Sequence, residues 1–296
     1  MAIPEDQLEV WAKAGSQVVS ENTFTSVKTA LERQGTKYFG KSVEIFLQGS
    51  YGNGTNIRSE SDVDIVIRLR NLFHLEFQGV QPTDQYNIRK EYSDATYLLP
   101  QFKNDVVAAL VDYYGVKSVD VGQKAIKIKQ DEHENRREAD VIVADTYRRY
   151  DLVQSKIVSS DGISFLSNGE RINNFPHQHT KNGNLKDIET GGRYKEMVRL
   201  LKNMRLVLIE RGLLVDGSAP SYFIEGLLYN VPSETFMGTL GQSFVTCLRW
   251  LNKADQSALK TPSGLHWVTR EGRSTCWPCQ QCSDFISAVI STWNHW

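Results

Sequence analysis

One short stretch of the chain combines a glycine–serine turn with two aspartates separated by a single residue. The stretch is FLQGSYGNGTNIRSESDVDIVIRL, residues 46–69, in which Gly49 and Ser50 form the turn and Asp62 and Asp64 are the aspartates. The β-branched run around the aspartates has the length and composition of a strand. Alternate residues of a strand point to the same face, so we expect both carboxylates on one face.

Two carboxylates this close repel each other unless cations neutralise them, and their oxygens suit hard divalent ions. Gly49 allows the backbone to approach a ligand closely, and Ser50 offers a hydroxyl. A helical turn that begins there would also present N–H groups to an anion. A triphosphate bridged to the two aspartates by Mg²⁺ would use both halves of the stretch. For the aspartate pair alone, a solvated strand start is the alternative interpretation.

A site for two metal ions also needs a third carboxylate, to hold the ion that activates the attacking hydroxyl. Asp140 precedes the apolar run of residues 141–143, which predicts another strand, and it is the first candidate. Asp145 lies an odd number of residues further along, so on a continuous strand it would face the opposite side. We rank Asp145 second, with a strand-end turn as its alternative.

The composition limits the classes of protein to which the chain can belong. Its 296 residues are 40% hydrophobic and 23% charged, which is typical of a globular protein that needs no disulfide or metal staple. The sequence lacks an apolar run long enough to span a bilayer, and its opening residues do not resemble a secretory or transit signal, so we expect a cytoplasmic protein. The 34 basic and 35 acidic residues leave a formal charge of −1, which disfavours a nucleic-acid-binding surface.

Periodicity predicts a strand-rich first part of the chain with helices before and within it. Amphipathic helices are expected around residues 5–14 and 22–34, and residues 42–50 pair with 62–69 as a hairpin-like unit. Residues 84–114 read mainly as helix, with a break or kink at Pro100. Three further strands are expected in KSVDVG, KAIKIKQ and READVIVAD.

The second part of the chain reads as mostly helical. Residues 167–193 are rich in Asn, Gly and His and predict an extended surface or site-lining segment, which we take as the lobe boundary. His177, His179 and Lys186 lie in it; the histidine pair lacks further metal ligands nearby, so we expect a loop that packs over a bound ligand rather than a metal site. Residues 193–212 form an apolar stripe with interleaved Lys and Arg, followed by further helices to the end.

Three cysteines cluster near the end of the chain in CWPCQQC. Cys276, Cys279 and Cys282 have a spacing that can suit zinc, with Cys247 or His266 as a fourth ligand. The second paired motif that makes such a signal specific is missing. We therefore favour reduced, half-buried thiols over zinc at this cluster.

The Gly49-Ser50 turn, the Asp62-x-Asp64 pair and the distant Asp140 resemble the signature of the DNA-polymerase-β-type nucleotidyltransferase superfamily. More of the chain resembles one branch, the cGAS/DncV-like nucleotidyltransferases, which include the bacterial cyclic-oligonucleotide synthases of anti-phage defence. The resemblance covers residues 3–235, and its segments in order are IPEDQLEVWAKAGS, LQGSYGNGTNIRSESDVDIVI, ADVIVADTYRRY, INNFPHQHTKNGNLKDIETGGRYKEMVRLLKNMR and PSYFIEGLLYNVP.

The resemblance implies an α+β fold. A polymerase-β-like nucleotidyltransferase lobe, with a mixed sheet, helices and a helical lead-in, would span residues 1–185. A mainly helical C-terminal lobe that closes the nucleotide cleft would span residues 186–296.

The resemblance also implies roles for residues at the acidic site. Asp62 and Asp64 would hold two Mg²⁺ (or Mn²⁺) ions, and Asp140 would join the ion beside the acceptor 3′-hydroxyl. Ser50, flanked by Gln48 and Gly49 in the same nucleotide-binding turn, would bind the donor triphosphate.

Further roles follow on the predicted helices. Lys202 would grip the triphosphate with Ser221, and Tyr222 would stack on a base. Lys195 and Arg199 share a helix face with Lys202 and could extend a basic strip toward phosphates. Without the aspartate motif, a solvated lysine and a core tyrosine would be the preferred interpretations.

The leading functional prediction is an enzyme that joins NTPs (ATP, GTP, UTP or CTP) into a cyclic di- or trinucleotide that activates a downstream effector. Direct activation by DNA is not expected, because the sequence lacks an inserted cysteine/histidine metal thumb and a basic platform. One alternative is a transferase that adds a nucleotide to a small molecule, an RNA end or a protein. Another is a catalytically silent nucleotide-binding regulator, which would be marked by a lost metal carboxylate.

Overall fold

The chain folds into two compact units, each assembled from separate chain segments. The structure is a computed structural model and describes residues 3–15, 18–58, 62–273 and 275–296. Residues 1–17, 49–60 and 177–296 form the first unit. Residues 18–48 and 61–176 form the second unit.

The second unit is built on a seven-stranded mixed sheet in the order β1-β2-β5-β4-β3, with β6 paired to β5 and β7 paired to β6. The pairing of β2 with β5 is parallel, and the other strand pairs are antiparallel. The antiparallel pairing of the first two strands and the three later strands confirm the sequence predictions. The strands are β1 (Val43–Leu47), β2 (Val63–Gln78), β3 (Val119–Val121), β4 (Ile126–Ile128), β5 (Ala139–Val153), β6 (Lys156–Ser167) and β7 (Glu170–Asn174).

Three helices accompany this sheet in the described part of the second unit: α2 (Val18–Glu32), α4 (Pro82–Arg89) and α5 (Leu99–Tyr114). The single helix expected over residues 84–114 is therefore two helices, and the prediction of a break at Pro100 is wrong. Pro100 lies in the first turn of α5. Proline suits that position, because the first N–H groups of a helix have no intrahelical acceptor.

The first unit is helical. Its helices are α1 (Glu5–Ala12), α3 (Gly49–Asn53), α6 (Pro176–Glu189), α7 (Arg193–Glu210), α8 (Ser221–Asn230), α9 (Leu240–Leu251) and α10 (Cys279–Asn294). Fully buried residues of α7, including Met197, Leu200 and Met204, lie in one core with residues of α8, α9 and α10. The helical character predicted for the C-terminal part of the chain is confirmed.

The polar stretch at residues 167–193 corrects another expectation. It contains β7 and the whole of α6, and it is not an extended loop. His179 and Lys186 both lie on α6 and are buried. Most of this helix is polar, so its sequence carries little of the apolar periodicity from which a helix is predicted.

The C-terminal segment supports α8 through aromatic packing. Trp277 is 1% exposed. Its ring stacks on Phe223 of α8, with centroids 5.6 Å apart, and also contacts Phe285 of α10 at 5.6 Å. The residues beyond the sequence resemblance therefore form part of the core that holds α8.

The four cysteines are free thiols: Cys247, Cys276 and Cys282 are buried, and Cys279 is half-buried. Burial raises the pKa of Cys247 and of Cys282 to about 12. Thiols in such apolar surroundings stay protonated at neutral pH and react poorly. Across the described ranges, no helix has the length and apolar character needed to cross a membrane.

Candidate active site

The parallel pairing of two strands brings the predicted carboxylates together on the second unit. Asp64 is on β2 and Asp140 is on β5, and the two residues are direct partners in the parallel register. Register partners on adjacent strands extend to the same face, and Asp62 lies one residue before the start of β2. The start of these two strands therefore carries an acidic group of Asp62, Asp64 and Asp140.

The charges around this group oppose one another. Partial burial raises the pKa of Asp140, the Lys127 ammonium lowers it, and the carboxylates of Asp62 and Glu138 raise it again. Lys127 Nζ lies 2.6 Å from Glu138 Oε1, and this hydrogen bond raises the pKa of Lys127. Lys124 also lowers the pKa of Asp140, so two lysines and two further carboxylates surround this aspartate.

The donor type of the acidic group fits divalent cations, since Mg²⁺ and Mn²⁺ prefer carboxylate oxygens. Within the described residues, no three His, Cys, Asp or Glu side chains are placed so that they could share one metal ion as they stand. The cysteine cluster likewise forms no such group within the described residues.

Gln48 connects the end of β1 to this site. Its backbone N–H donates to the Asp64 carbonyl over 2.9 Å. Its Oε1 is buried and has no hydrogen-bond partner among the described residues. The backbone bond ties Gln48 to the strand position that carries Asp64.

The other predicted nucleotide-binding residues lie in the first unit. Gly49 begins α3 with a φ of 67°, a left-handed conformation that glycine adopts without strain. Ser50 follows it on the same short helix and is half-buried. Lys202 on α7 is fully buried, and its Nζ donates to the carbonyl of Thr55 over 2.9 Å.

Two other basic residues on α7 differ from each other in their surroundings. Lys195 is half-buried, and its Nζ donates to Asn184 Oδ1 over 2.7 Å. Arg199 is buried and donates to the carbonyls of Ala12 and Gly54. The Arg199 guanidinium is occupied by these backbone carbonyls, and the extension of a basic strip toward phosphates stays a prediction.

Ser221 and Tyr222 begin α8. Arg205 Nη1 lies 3.3 Å from Ser221 Oγ. The Tyr222 ring stacks on His179 of α6, with centroids 5.0 Å apart, and burial raises the pKa of the tyrosine to about 12. Stacking of Tyr222 on a nucleotide base remains a prediction.

Two family models match the chain: the nucleotidyltransferase domain over residues 27–161, and the cGAS/DncV-like nucleotidyltransferase C-terminal helical domain over residues 181–294. A cyclic UMP-AMP synthase of Rhodothermus marinus (strain SG0.5JP17-172) is 35% identical over 299 aligned positions, covering 100% of this chain and 99% of the relative. A cyclic dipurine nucleotide synthase of Elizabethkingia meningoseptica is 37% identical over 243 positions, covering 80% of each chain. The chain belongs to the cGAS/DncV-like nucleotidyltransferases.

A solved structure supports this membership across both units. The Rhodothermus marinus CdnE c-UMP-AMP synthase, determined with Apcpp and Upnpp, matches with a TM-score of 0.87 at 33% identity and covers 99% of this chain and 97% of that one. The sequence prediction of a nucleotidyltransferase enzyme with an α+β fold and a helical C-terminal part is confirmed.

Sequence reasoning missed one charged residue of this nucleotidyltransferase. Glu225 on α8 is 2% exposed and accepts hydrogen bonds from Asn53, Thr55 and His179. The available signal was a single acid inside the apolar run SYFIEGLLYN, since carboxylates are rarely buried unless they are paired. His179 is its partner and is not part of a loop over a nucleotide.

Asp145, the second-ranked carboxylate, has a different environment from Asp140. It is 1% exposed, and its Oδ2 lies 3.0 Å from Arg171 Nη1 on β7. Burial raises the pKa of Asp145 to about 6, although Arg171 opposes the rise. Asp145 is therefore buried between strands and paired with an arginine.

The raised pKa of Asp145 predicts a pH-dependent contribution to stability. The folded pKa of about 6 exceeds the ordinary aspartate pKa of 3.8, so the contribution is full below the lower pKa and is lost as the pH rises through about 6. Between pH 4.5 and 7 this carboxyl group should cost the wild type about 2 kcal/mol in the free energy of unfolding. Asp145→Asn cannot titrate, so we expect the variant not to show this loss. Urea unfolding at several pH values tests this, with the exposed Asp120→Asn as control. A profile for Asp145→Asn that parallels the wild type would contradict it.

Proposed function

We propose that this nucleotidyltransferase joins NTPs into a cyclic di- or trinucleotide second messenger in anti-phage (CBASS-type) signalling. The observation that carries the proposal is similarity to a cyclic UMP-AMP synthase along the full length of both chains. The aligned aspartates on β2 and β5 support it, because a silent regulator would be expected to lose one of them.

The metal requirement belongs to this proposal. Asp62, Asp64 and Asp140 would hold two Mg²⁺ or Mn²⁺ ions. When bound, such ions stabilise the charge that develops on the attacking and leaving oxygens of phosphoryl transfer. The carboxylates of Asp62 and Glu138 near Asp140 support this role, since bound cations would relieve their repulsion.

The remaining residues would bind and orient the donor nucleotide. Ser50, Lys202 and Ser221 would hold the triphosphate, and Tyr222 would stack on a base. The acceptor 3′-oxygen forms a bond to the α-phosphorus, the bond to pyrophosphate breaks, and the hydroxyl proton passes to solvent. Orientation and electrostatics lower the barrier, so the chain needs no covalent intermediate.

The bases of the product need direct measurement. The two sequence relatives share 35% and 37% identity with this chain, yet their names give products with different combinations of bases. Residues 162–168 of β6 and the turn after it are our candidates for the base pocket. A pocket that hydrogen-bonds a base edge can discriminate strongly, so few side chains would decide the product.

The test is to incubate the purified protein with ATP, GTP, CTP and UTP, each α-labelled in turn, with Mg²⁺ or Mn²⁺. Phosphatase treatment followed by chromatography and mass spectrometry then identifies the products. A phosphatase-resistant product that is absent with Asp62→Asn supports the cyclic synthase and names its bases. Products with only linear linkages, or labelling of an added RNA or small molecule, would favour a nucleotide-adding transferase.

The biological setting follows from the same proposal. A cyclic nucleotide made in the cytoplasm, where NTPs are available, would act by binding a separate effector protein. Expression with and without phage infection, followed by nucleotide extraction, tests this part. A product that appears at the same level in both cases and never changes phage yield would contradict the defence role.

A further inference from the structure

The chain segment at the C-terminal end of α3 is held by side chains from the longer helices of the first unit. This segment, residues 53–55, is called the anchor segment below. The Asn53 Oδ1 accepts a hydrogen bond from Thr180 Oγ1 of α6 over 2.7 Å. The Gly54 carbonyl accepts one from Arg199 Nη1 of α7 over 2.8 Å.

Glu225 makes the largest number of these bonds from a single side chain. Its Oε2 accepts from Asn53 Nδ2 over 2.8 Å and from His179 Nε2 over 2.6 Å. Its Oε1 accepts from Thr55 Oγ1 over 2.5 Å. The carboxylate thus contacts both ends of the anchor segment and one residue of α6.

Glu225 is buried as a charged group. Burial alone would raise its pKa, but the His179 hydrogen bond, the Lys202 charge and the Thr55 hydroxyl together lower it. Lys202 in turn donates to the Thr55 carbonyl. Hydrogen bonds to an ionised carboxylate are stronger than neutral ones, particularly away from water.

The anchor segment is bonded directly to the turn that carries Ser50. The Thr55 N–H donates to the Ser50 carbonyl over 2.9 Å, and the Gly54 N–H donates to the Tyr51 carbonyl over 3.3 Å. A movement of Thr55 would therefore be transmitted to the backbone of Ser50. Through Thr55, the Glu225 carboxylate acts on the position of this turn.

Glu225 also lies on the helix that carries two other predicted nucleotide-binding residues. Ser221 and Tyr222 precede it by about one helical turn, and residues at that spacing lie on one helix face. His179 contacts Glu225 through Nε2 and stacks on Tyr222 with its ring. One buried carboxylate thus connects α3, α6, α7 and α8.

We propose that Glu225 is a positioning residue for the donor triphosphate, which holds Ser50 and Lys202 in place through the anchor segment. The inference rests on the proposed function for the roles of Ser50 and Lys202 in gripping phosphate. Glu225 itself contacts no reacting atom in this scheme. Its loss should weaken binding of any triphosphate, whatever its base.

The first test uses Glu225→Gln, which keeps the shape but removes the charge and one acceptor oxygen. Calorimetry with inorganic tripolyphosphate and Mg²⁺ measures phosphate binding without a base or a product. Pyrophosphate release from NTPs gives KM and kcat separately. We expect a dissociation constant and a KM that are each at least about tenfold higher, because two or three charge-assisted hydrogen bonds are disrupted.

The matched control is Glu5→Gln, the same chemical change at another carboxylate of the first unit. Glu5 accepts hydrogen bonds from the backbone N–H groups of Leu240 and Gly241 at the start of α9. We expect this variant to lose some thermal stability but to keep the KM and the tripolyphosphate affinity of the wild type. A folded Glu225→Gln protein that behaves like Glu5→Gln would overturn the positioning role.

A second variant keeps the inference testable if Glu225→Gln does not fold. Thr55→Val removes only the hydroxyl that donates to Glu225 and leaves the backbone carbonyl that Lys202 contacts. We expect an increase in KM and in the tripolyphosphate dissociation constant of about threefold or more. Unchanged values in a folded Thr55→Val protein would also overturn the inference.

The two proposals fail in different ways. If the wild type binds tripolyphosphate and Glu225→Gln weakens that binding, but the products are linear, the positioning role stands and the cyclic product is wrong. If the wild type does not bind tripolyphosphate, the phosphate roles of Ser50 and Lys202 fail, and the positioning role fails with them. If cyclic product forms at wild-type KM in Glu225→Gln, only the positioning role fails.

Discussion

Asp64→Asn is expected to lower kcat for nucleotidyl transfer by at least about 10³-fold, equivalent to about 4 kcal/mol of transition-state stabilisation. Asp64 is central in the acidic group, because Asp62 lies two residues before it in the chain and Asp140 is its register partner on β5. Removal of its charge deletes a metal ligand under the proposed function. The substitution keeps the side-chain shape, so the strand pairing should persist.

The measurement is pyrophosphate release with saturating NTP and Mg²⁺, together with thermal unfolding of the same preparations. Asp120→Asn is the matched control, because Asp120 is an exposed carboxylate on β3 of the same unit, with an ion pair to Lys129 at the surface. The control should retain wild-type kcat. Retained kcat in folded Asp64→Asn would contradict the two-metal assignment. Loss in both variants would point to a general charge effect.

Trp277→Ala is expected to lower the free energy of unfolding by about 4 kcal/mol, within the range for large aromatic side chains removed from a core. Trp277 stacks on Phe223 of α8 and packs against Phe285 of α10, and it is 1% exposed. The vacated space is bounded by two rings on separate helices, so the site cannot collapse without moving α8.

Differential scanning calorimetry checks this expectation, and the corresponding fall in melting temperature is about 10 °C. Trp267→Ala is the matched control, since Trp267 is half-buried and contacts the Arg270 guanidinium and the Lys260 ammonium at the surface. We expect a loss of about 1 kcal/mol or less for the control. Equal losses in the two variants would show that the stacking on α8 does not stabilise the first unit.

Local sequence patterns were sufficient to predict the strands that carry Asp64 and Asp140. Strand alternation placed Asp62 and Asp64 on one face, and a β-branched run after Asp140 predicted the strand that pairs with theirs. The same alternation predicted that Asp145 faces the opposite side of the strand from Asp140. In the structure Asp145 is buried and paired with Arg171. The strand predictions succeeded because a strand's period of two residues depends only on neighbouring backbone.

Two other predictions were wrong because the local sequence pattern does not show where a helix ends or which polar side chains are buried. Pro100 was predicted to break a helix, but it lies in the first turn of α5, and the preceding helix α4 already ends at Arg89. The polar segment at residues 167–193 was read as extended, but α6 forms there around the buried His179 and Lys186. Polar side chains that find partners inside the fold leave no apolar periodicity in the sequence.

By itself, the sequence determined the acidic strand face, the glycine–serine turn and the alternation of strand and helix, because each depends on residues close together in the chain. Only the tertiary structure decided that Lys202 and Arg199 are buried rather than solvated, and that Glu225 pairs with Asn53, Thr55 and His179. A buried charge is tolerated only when partners surround it. Those partners come from helices far apart in sequence, so no local spacing could reveal them.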